Sequence, residues 1–368
     1  EPVIAPAGIY CRITTTYPPG FRFGSTVLDG PGPDASVAVS SYTALECAGE
    51  VPLANLLFVD TETTGLGGSG AVAFLVGCGS LRPDGFEVRQ YLLPDYADEA
   101  ALLEQVLTEL QDDKTLVSYN GAAFDLSLIR DRFIVNRVAR DVPCAGHFDL
   151  LHSARRLFKR RLNDCTLTSI EREVFAYYRH DDIPGHLIPS VYFDWLENDS
   201  TEFLPAVLEH NRTDIVALYF LLLKVDEIFR SEGAVLDYAD DLYSLSRVYG
   251  RRKHHQKVVA NFETLRKSTG RPLDDEVLFF HSLAFKRQGR WREAVELWRR
   301  LVDQGGPAAF GAAVELSKHH EHQARDIPTA LSYAVRAQQA GPPSRRLKEE
   351  LHHRLRRLRR KSAGRGPK

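Results

Sequence analysis

The pattern that organises the chain is a short apolar run that ends in charge. Leu56-Leu57-Phe58-Val59 leads into Asp60-Thr61-Glu62-Thr63-Thr64-Gly65-Leu66. Four consecutive apolar residues predict a buried strand, and Thr-Thr-Gly breaks it. In extended chain, residues i and i+2 face the same way, so Asp60 and Glu62 converge at the end of a core strand. Two carboxylates placed like this repel each other unless a cation lies between them.

The pattern around this run alternates. Ala71 to Cys78 is a second apolar run, Phe86 to Leu92 alternates, and Pro83-Asp84-Gly85 lies between, which predicts a hairpin. Leu102, Leu103, Val106, Leu107 and Leu110 recur at helical spacing over 98–110. Thr115 to Ser118 predicts a short strand that turns at Tyr119-Asn120-Gly121 into a helix over 122–136. A strand and helix follow over 147–158, and helices over 167–175 and 187–196. Pro205 opens a long helix over 206–229, as proline does at a first turn. The expected fold class is α/β, a mixed sheet flanked by helices over residues 51–232. Residues 1–50, rich in Gly, Pro, Ser and Thr, predict a loop-rich segment with one or two short strands.

From Leu242 the pattern repeats every 36 residues. Leu242, Leu278 and Val314 correspond, as do Val258, Ala294 and Ala330. Phe262 matches Trp298, and Tyr249 matches Phe285, but Glu321 breaks that series. Two helices per unit with a small residue early in the second is a helix-turn-helix repeat pattern, expected over 238–340 as an all-α domain. It resembles tetratricopeptide repeats, whose usual period is 34, and His281 stands where that pattern wants an apolar residue. Leu347 to Leu358 predicts a last helix, within a basic segment over 341–368.

Composition sharpens this picture in two places. The formal net charge is −2, yet Gly341 to Lys368 holds eleven Lys/Arg against two Glu. Such a segment is either a contact for an anionic polymer or a solvated end. The five cysteines, Cys11, Cys47, Cys78, Cys144 and Cys165, form no C-x-x-C pair, which argues against a disulfide framework or zinc cluster and for a reducing, cytoplasmic setting. No apolar run reaches the roughly 18–20 residues of a membrane span, and no signal peptide is visible. The chain contains no Met, so its first residue is read as lying downstream of the translated start.

Asp60 and Glu62 need partners, and two later segments supply them. Asp125 sits in the first turn of a helix after Asn120-Gly121-Ala122-Ala123-Phe124. Asp214 follows His210 by four residues, on the same helix face. Four carboxylates without a thiolate suit Mg²⁺ or Mn²⁺, and two such ions can stabilise both oxygens of a phosphoryl displacement. His210 is the candidate base, because its ordinary pKa of about 6.5 lies near working pH. The plainer readings are a solvated turn at Asp60, a helix-dipole charge at Asp125, a surface pair of Asp214 with Arg212, and a satisfied helix histidine at His210. Asp149 is a fifth ligand or a helix cap. The basic run Arg155, Arg156, Lys159, Arg160 and Arg161 is a strand groove or a solvated face.

Asp-Thr-Glu-Thr-Thr-Gly-Leu, then Asn-x-x-x-Phe-Asp, then a helical His ahead of Asp resembles the DEDD 3′–5′ exonucleases of the ribonuclease H-like superfamily. Within it, the chain resembles the bacterial YprB-type group, which pairs such a domain with helical repeats; Arg179-His180-Asp181-Asp182-Ile183-Pro184-Gly185 adds to this. The resemblance implies a metal-dependent 3′–5′ exonuclease acting on nucleic acid, single-stranded by preference, with Asp60, Glu62, Asp125 and Asp214 as ligands. It also implies that Thr64, Gly65 and Leu66 meet the terminal nucleotide, and that Asn120 and Phe124 line the strand path. In the His form of these enzymes four residues separate His from Asp, and in the Tyr form three; this chain has His with three. Two alternatives stand beside this reading: a structure-specific endonuclease of the same fold, and a non-catalytic scaffold whose repeats bind a protein partner.

Overall fold

The computed structural model of the chain describes residues 1–28, 35–38, 50–65, 70–268 and 272–363. It divides into two units, 1–235 and 236–368.

The first unit is built on a seven-stranded sheet. Its strands are β1 (Pro2–Ala5), β2 (Gly8–Tyr17), β7 (Leu56–Thr63), β8 (Ala73–Arg82), β9 (Gly85–Leu92), β10 (Thr115–Ser118) and β11 (Gly146–Asp149), in the order β1-β2-β9-β8-β7-β10-β11. Two small ribbons pair β3 (Arg22–Phe23) with β4 (Thr26–Val27), and β5 (Ser36–Val37) with β6 (Val51–Pro52). The sheet is mixed: β7, β8 and β9 run antiparallel, whereas β10 and β11 lie parallel to β7. Helices α1 (Glu99–Glu109), α2 (Asp125–Val135), α3 (Leu150–Phe158), α4 (Leu167–Phe175), α5 (Ile188–Asn198) and α6 (Leu204–Arg230) connect and cover it.

The N-terminal segment departs from expectation. Instead of short strands beside the domain, β2 runs ten residues and pairs with β9 from Cys11↔Leu92 to Tyr17↔Phe86. Apart from the buried Tyr10, its residues alternate between exposed and half-buried positions, so it carries no apolar run to announce a strand.

Strand β7 shows how the sheet partitions its side chains. Leu57 and Val59 join a core with Leu102 and Leu103 of α1 and with Ile129 and Phe133 of α2. Phe58 faces the other way, its ring 5.6 Å from Tyr219 of α6 and 5.4 Å from Phe86 of β9. Burying an aromatic ring contributes about 1.5–3 kcal/mol, so this cluster anchors α6 across the sheet. Gly77 and Gly79 on β8 let α6 come close. A Cβ on Gly77 would lie 2.4 Å from Asn211 Oδ1 and 2.1 Å from Ile215 Cδ1.

The second unit is all-helical: α7 (Ala239–Arg251), α8 (His255–Ser268), α9 (Asp275–Arg287), α10 (Trp291–Gln304), α11 (Ala309–His322), α12 (Ile327–Ala340) and α13 (Arg345–Ala363). Each packs on the next in sequence. Val258, Ala294 and Ala330 are fully buried, which lets paired helices approach, and Phe262 and Trp298 fill the space between. His281 is buried against the Phe262 ring at 4.9 Å, and burial lowers its pKa to about 4, so it packs as a neutral ring. Cys11, Cys78, Cys144 and Cys165 are free thiols; Cys47 lies outside the described residues. No described helix is long and apolar enough to cross a membrane.

Candidate active site

Asp60 and Glu62 stand in the C-terminal half of β7, opposite Gly77 and Leu75 of β8. Strand alternation puts them on the Phe58 face, beneath α6, and puts Thr61 on the opposite face. Asn211 of α6 donates from Nδ2 to Asp60 Oδ2 at 2.8 Å. Gln90 of β9 orients Asn211, donating from Nε2 to its Oδ1 at 2.9 Å. Both amides are buried, so each fixes the other's orientation and, through it, that of Asp60.

Asp125 reaches the same end of β7 from the start of α2. Its Oδ1 accepts from the Thr61 backbone N–H at 3.1 Å and from the Thr61 hydroxyl. The turn before it requires Asn120 at φ 67° and is held by Asp149, which accepts from the backbone N–H of Asn120 at 2.8 Å and of Leu151 at 3.1 Å. Asp149 therefore caps α3 and braces the Asp125 turn.

Asp214 and His210 lie one turn apart on α6, with His210 Nε2 3.8 Å from Asp214 Oδ2. Asp214 Oδ1 accepts from Nη2 of Arg179. Arg179 is itself gripped by Glu171, which accepts from Nε at 2.7 Å and from Nη2 at 2.5 Å. Its Nη1 donates to Asp182 Oδ2 at 3.2 Å, and Asp182 Oδ1 lies 2.7 Å from His210 Nδ1. The loop carrying Arg179 turns at Ala176 (φ 52°) and Asp181 (φ 54°), which bends it back over α6.

The electrostatics follow from this crowding. Burial raises the pKa of Asp60 well above the ordinary value, and Asp214, Asp125 and Glu62 raise it further. Glu62 is raised by burial, then by Asp214 and Asp125. Asp125 is raised by burial, partly offset by its bonds from Thr61. Burial pulls the Arg179 pKa down, but Glu171 and Asp214 outweigh it and raise the pKa overall, so the arginine is a fixed cation.

The four predicted carboxylates thus feel one another. As they stand, however, no three His, Cys, Asp or Glu side chains among the described residues form a group that could hold an ion. The reason is visible in the bonds: Asn211 holds Asp60, Thr61 holds Asp125 and Arg179 holds Asp214. The donor set still fits a hard divalent cation, because its groups are carboxylate oxygens and their mutual repulsion is what such an ion relieves.

The other predicted contacts divide. Phe124 is 53% exposed beside Asp125. Thr64 closes a turn, its N–H donating to the Val72 carbonyl and its hydroxyl accepting from the Val72 N–H, both at 3.0 Å. Gly65 accepts from the Thr63 hydroxyl at 2.8 Å, and Leu66 lies outside the described residues. Sequence reasoning assigned nothing to Thr61, Gln90, Glu171, Arg179, Asp182 or Asn211. Asn211 stood inside the quoted His210–Asp214 motif, and Arg179 and Asp182 opened the stretch that carried the family resemblance.

Residues 57–225 match the RNase_H superfamily. The chain is also 35% identical over 312 residues to the uncharacterized protein YprB of Bacillus subtilis (strain 168), an alignment covering 83% of this chain and 75% of YprB. RNase H-like nucleases generally use divalent metals, and membership of that superfamily supports hydrolysis of nucleic acid. With its sheet, its carboxylate cluster and this similarity in agreement, the chain belongs to the family of YprB and carries an RNase H superfamily domain.

Proposed function

We propose that the protein is a divalent-metal-dependent 3′–5′ exonuclease acting on single-stranded nucleic acid. The observation that carries the reading is the approach of Asp60, Glu62, Asp125 and Asp214, from β7, α2 and α6, with the pKa values of Asp60 and Glu62 raised by burial and then by the charge of Asp214 and Asp125. These four residues would hold Mg²⁺ or Mn²⁺, as two ions. Bound there, the metal supplies an activated water and charge stabilisation for the departing 3′ oxygen. Asn211 and Thr61 fix the direction of their carboxylates. His210, oriented through Nδ1 by Asp182, presents Nε2 toward Asp214 and is placed to take a proton from an attacking water. Asn120 and Phe124 border the strand path, with the exposed Phe124 ring as a stacking surface. The helical pairs of the second unit, with their 36-residue spacing, read as tetratricopeptide-like and suit a protein partner. The test is product mapping on 5′-labelled single-stranded DNA and RNA with Mn²⁺. A ladder shortened from the 3′ end and lost in Asp60→Ala supports the reading, whereas cleavage of a circular strand turns it toward an endonuclease.

A further inference from the structure

Helix α13 uses its basic residues in two ways. Leu351, Leu355 and Leu358 are buried on its inner side, and the helix packs on α12. On one edge, Arg354, Arg357 and Lys361 converge on the fully buried carboxylate of Glu321, at 2.8, 2.6 and 2.8 Å. Glu321 occupies the repeat position filled by Tyr249 and Phe285 in the two earlier units. The aromatic that would receive another repeat is replaced by an acid that receives a basic helix. Three contacts along one edge fix the rotation of α13 about its own axis.

That rotation leaves a second set of basic side chains outside. Lys348, His352, Arg356 and Arg360 follow one another at four-residue spacing, with Arg359 beside them. All five are exposed, and none forms an ion pair among the described residues. With a rise of about 1.5 Å per residue, successive members of the row stand about 6 Å apart along the axis. Arg345 and Arg346, by contrast, are already paired with Glu349 and Glu350 at 3.1 and 3.0 Å.

We propose that this outer row of α13 is a sequence-independent binding surface for the phosphodiester backbone of nucleic acid, separate from the carboxylate cluster. It rests on the nuclease reading of the first unit for the choice of polyanion. The row offers Lys348, Arg356 and Arg360, with Arg359 beside them, while the neighbouring Glu349 is paired with Arg345, and arginine guanidinium groups match phosphate oxygens in fork geometry. A helix that lies in a bilayer needs a free apolar face, and the leucine face of α13 is already buried.

The experiment measures fluorescence anisotropy of a labelled single-stranded oligonucleotide with the full chain in EDTA, across a salt series. Arg356→Gln/Arg359→Gln/Arg360→Gln is expected to weaken binding at low salt at least about tenfold and to reduce the slope of log K against log salt by about 2, at roughly 0.7 per phosphate contact. Single Arg356→Gln and Arg359→Gln, each expected to take about 0.7 off the slope, serve if the triple variant melts early. Arg345→Gln/Arg346→Gln, whose targets are already paired, should stay within about twofold of wild type. An unchanged affinity and slope in the triple variant overturns the proposal. So does an equal loss in the paired-arginine control, or loss of binding to phosphatidylserine vesicles with oligonucleotide binding intact. A chain that binds strands through α13 but cleaves none in Mn²⁺ keeps this proposal and removes the nuclease reading.

Discussion

The guanidinium of Arg179 donates to the carboxylate of Asp214, and its other side is held by the buried Glu171. One proposed metal ligand therefore already has a cation, supplied by the loop between α4 and α5. Arg179→Met should leave Glu171 buried without a partner and lower stability by about 3–5 kcal/mol, read as a drop in Tm. Glu171→Gln/Arg179→Met should recover most of that loss. In the double variant Asp214 is released from a competing positive charge, so Mn²⁺ should bind more tightly by calorimetry. Weaker Mn²⁺ binding there would show that Arg179 holds the carboxylate in place for the metal rather than competing with it.

Asn211 links the sheet to α6 through Asp60 and Gln90. Asn211→Leu should preserve the fold and reduce Mn²⁺ affinity or turnover about 10–100-fold, the range seen when a partner that orients a metal ligand is lost. Calorimetry and steady-state cleavage measure the two quantities separately.

Gly77 is the sheet's side of the same contact. In Gly77→Ala the new methyl group meets Asn211 and Ile215 well inside van der Waals distance. Overpacking of this kind should cost about 1–3 kcal/mol and, by lifting α6, should weaken Mn²⁺ binding as well. A Tm and an Mn²⁺ affinity both equal to wild type would contradict the close packing described above.

Burial and like charge raise the pKa values of Asp60 and Glu62 above their unfolded values. A raised carboxylate contributes stability below its unfolded pKa, and that contribution is lost as pH rises through the folded pKa. The metal-free protein should therefore become less stable as pH rises above the ordinary carboxylate range and through the raised values of the cluster. Mn²⁺ should restore that stability, raising Tm more at pH 8 than at pH 5 in scanning calorimetry. Asp60→Asn should shrink the difference.

Glu321 behaves in the opposite sense. Burial works to raise its pKa, but Lys361, Arg357 and Arg354 pull it down to about 2, from an ordinary 4.5. Its stabilising effect is complete above pH 4.5 and is lost as pH falls toward 2. The melting of the helical unit should weaken across that window, and Glu321→Gln should flatten the dependence there.

The parts of this molecule that the sequence revealed are those with a period or a run. The apolar stretch of β7, the hairpin of β8 and β9 and the helical spacing of α6 each leave a local signature. Four acids placed after such signatures lie near enough that Asp214 and Asp125 raise the pKa values of Asp60 and Glu62. The parts that stayed hidden depend on partners distant in sequence. Arg179 looks like one more charge in a polar loop until the left-handed Ala176 and Asp181 turn it back onto Glu171. Strand β2 lacks an apolar run, because from Cys11 on one face is exposed and the other only half-buried. Glu321 looked like a broken repeat position, and only the docking of α13 shows why an acid stands there.

Asn211 lies 151 residues after Asp60, so the cluster closes across a long stretch of the first unit. During synthesis, at about 5–20 residues per second, β7 emerges long before α6 exists to cover it. For that interval Asp60 and Glu62 have neither the amide that orients them nor the aspartate that completes the set. Until α6 has been made, the set of carboxylates is incomplete, and it is α6 rather than β7 that decides when the cluster exists.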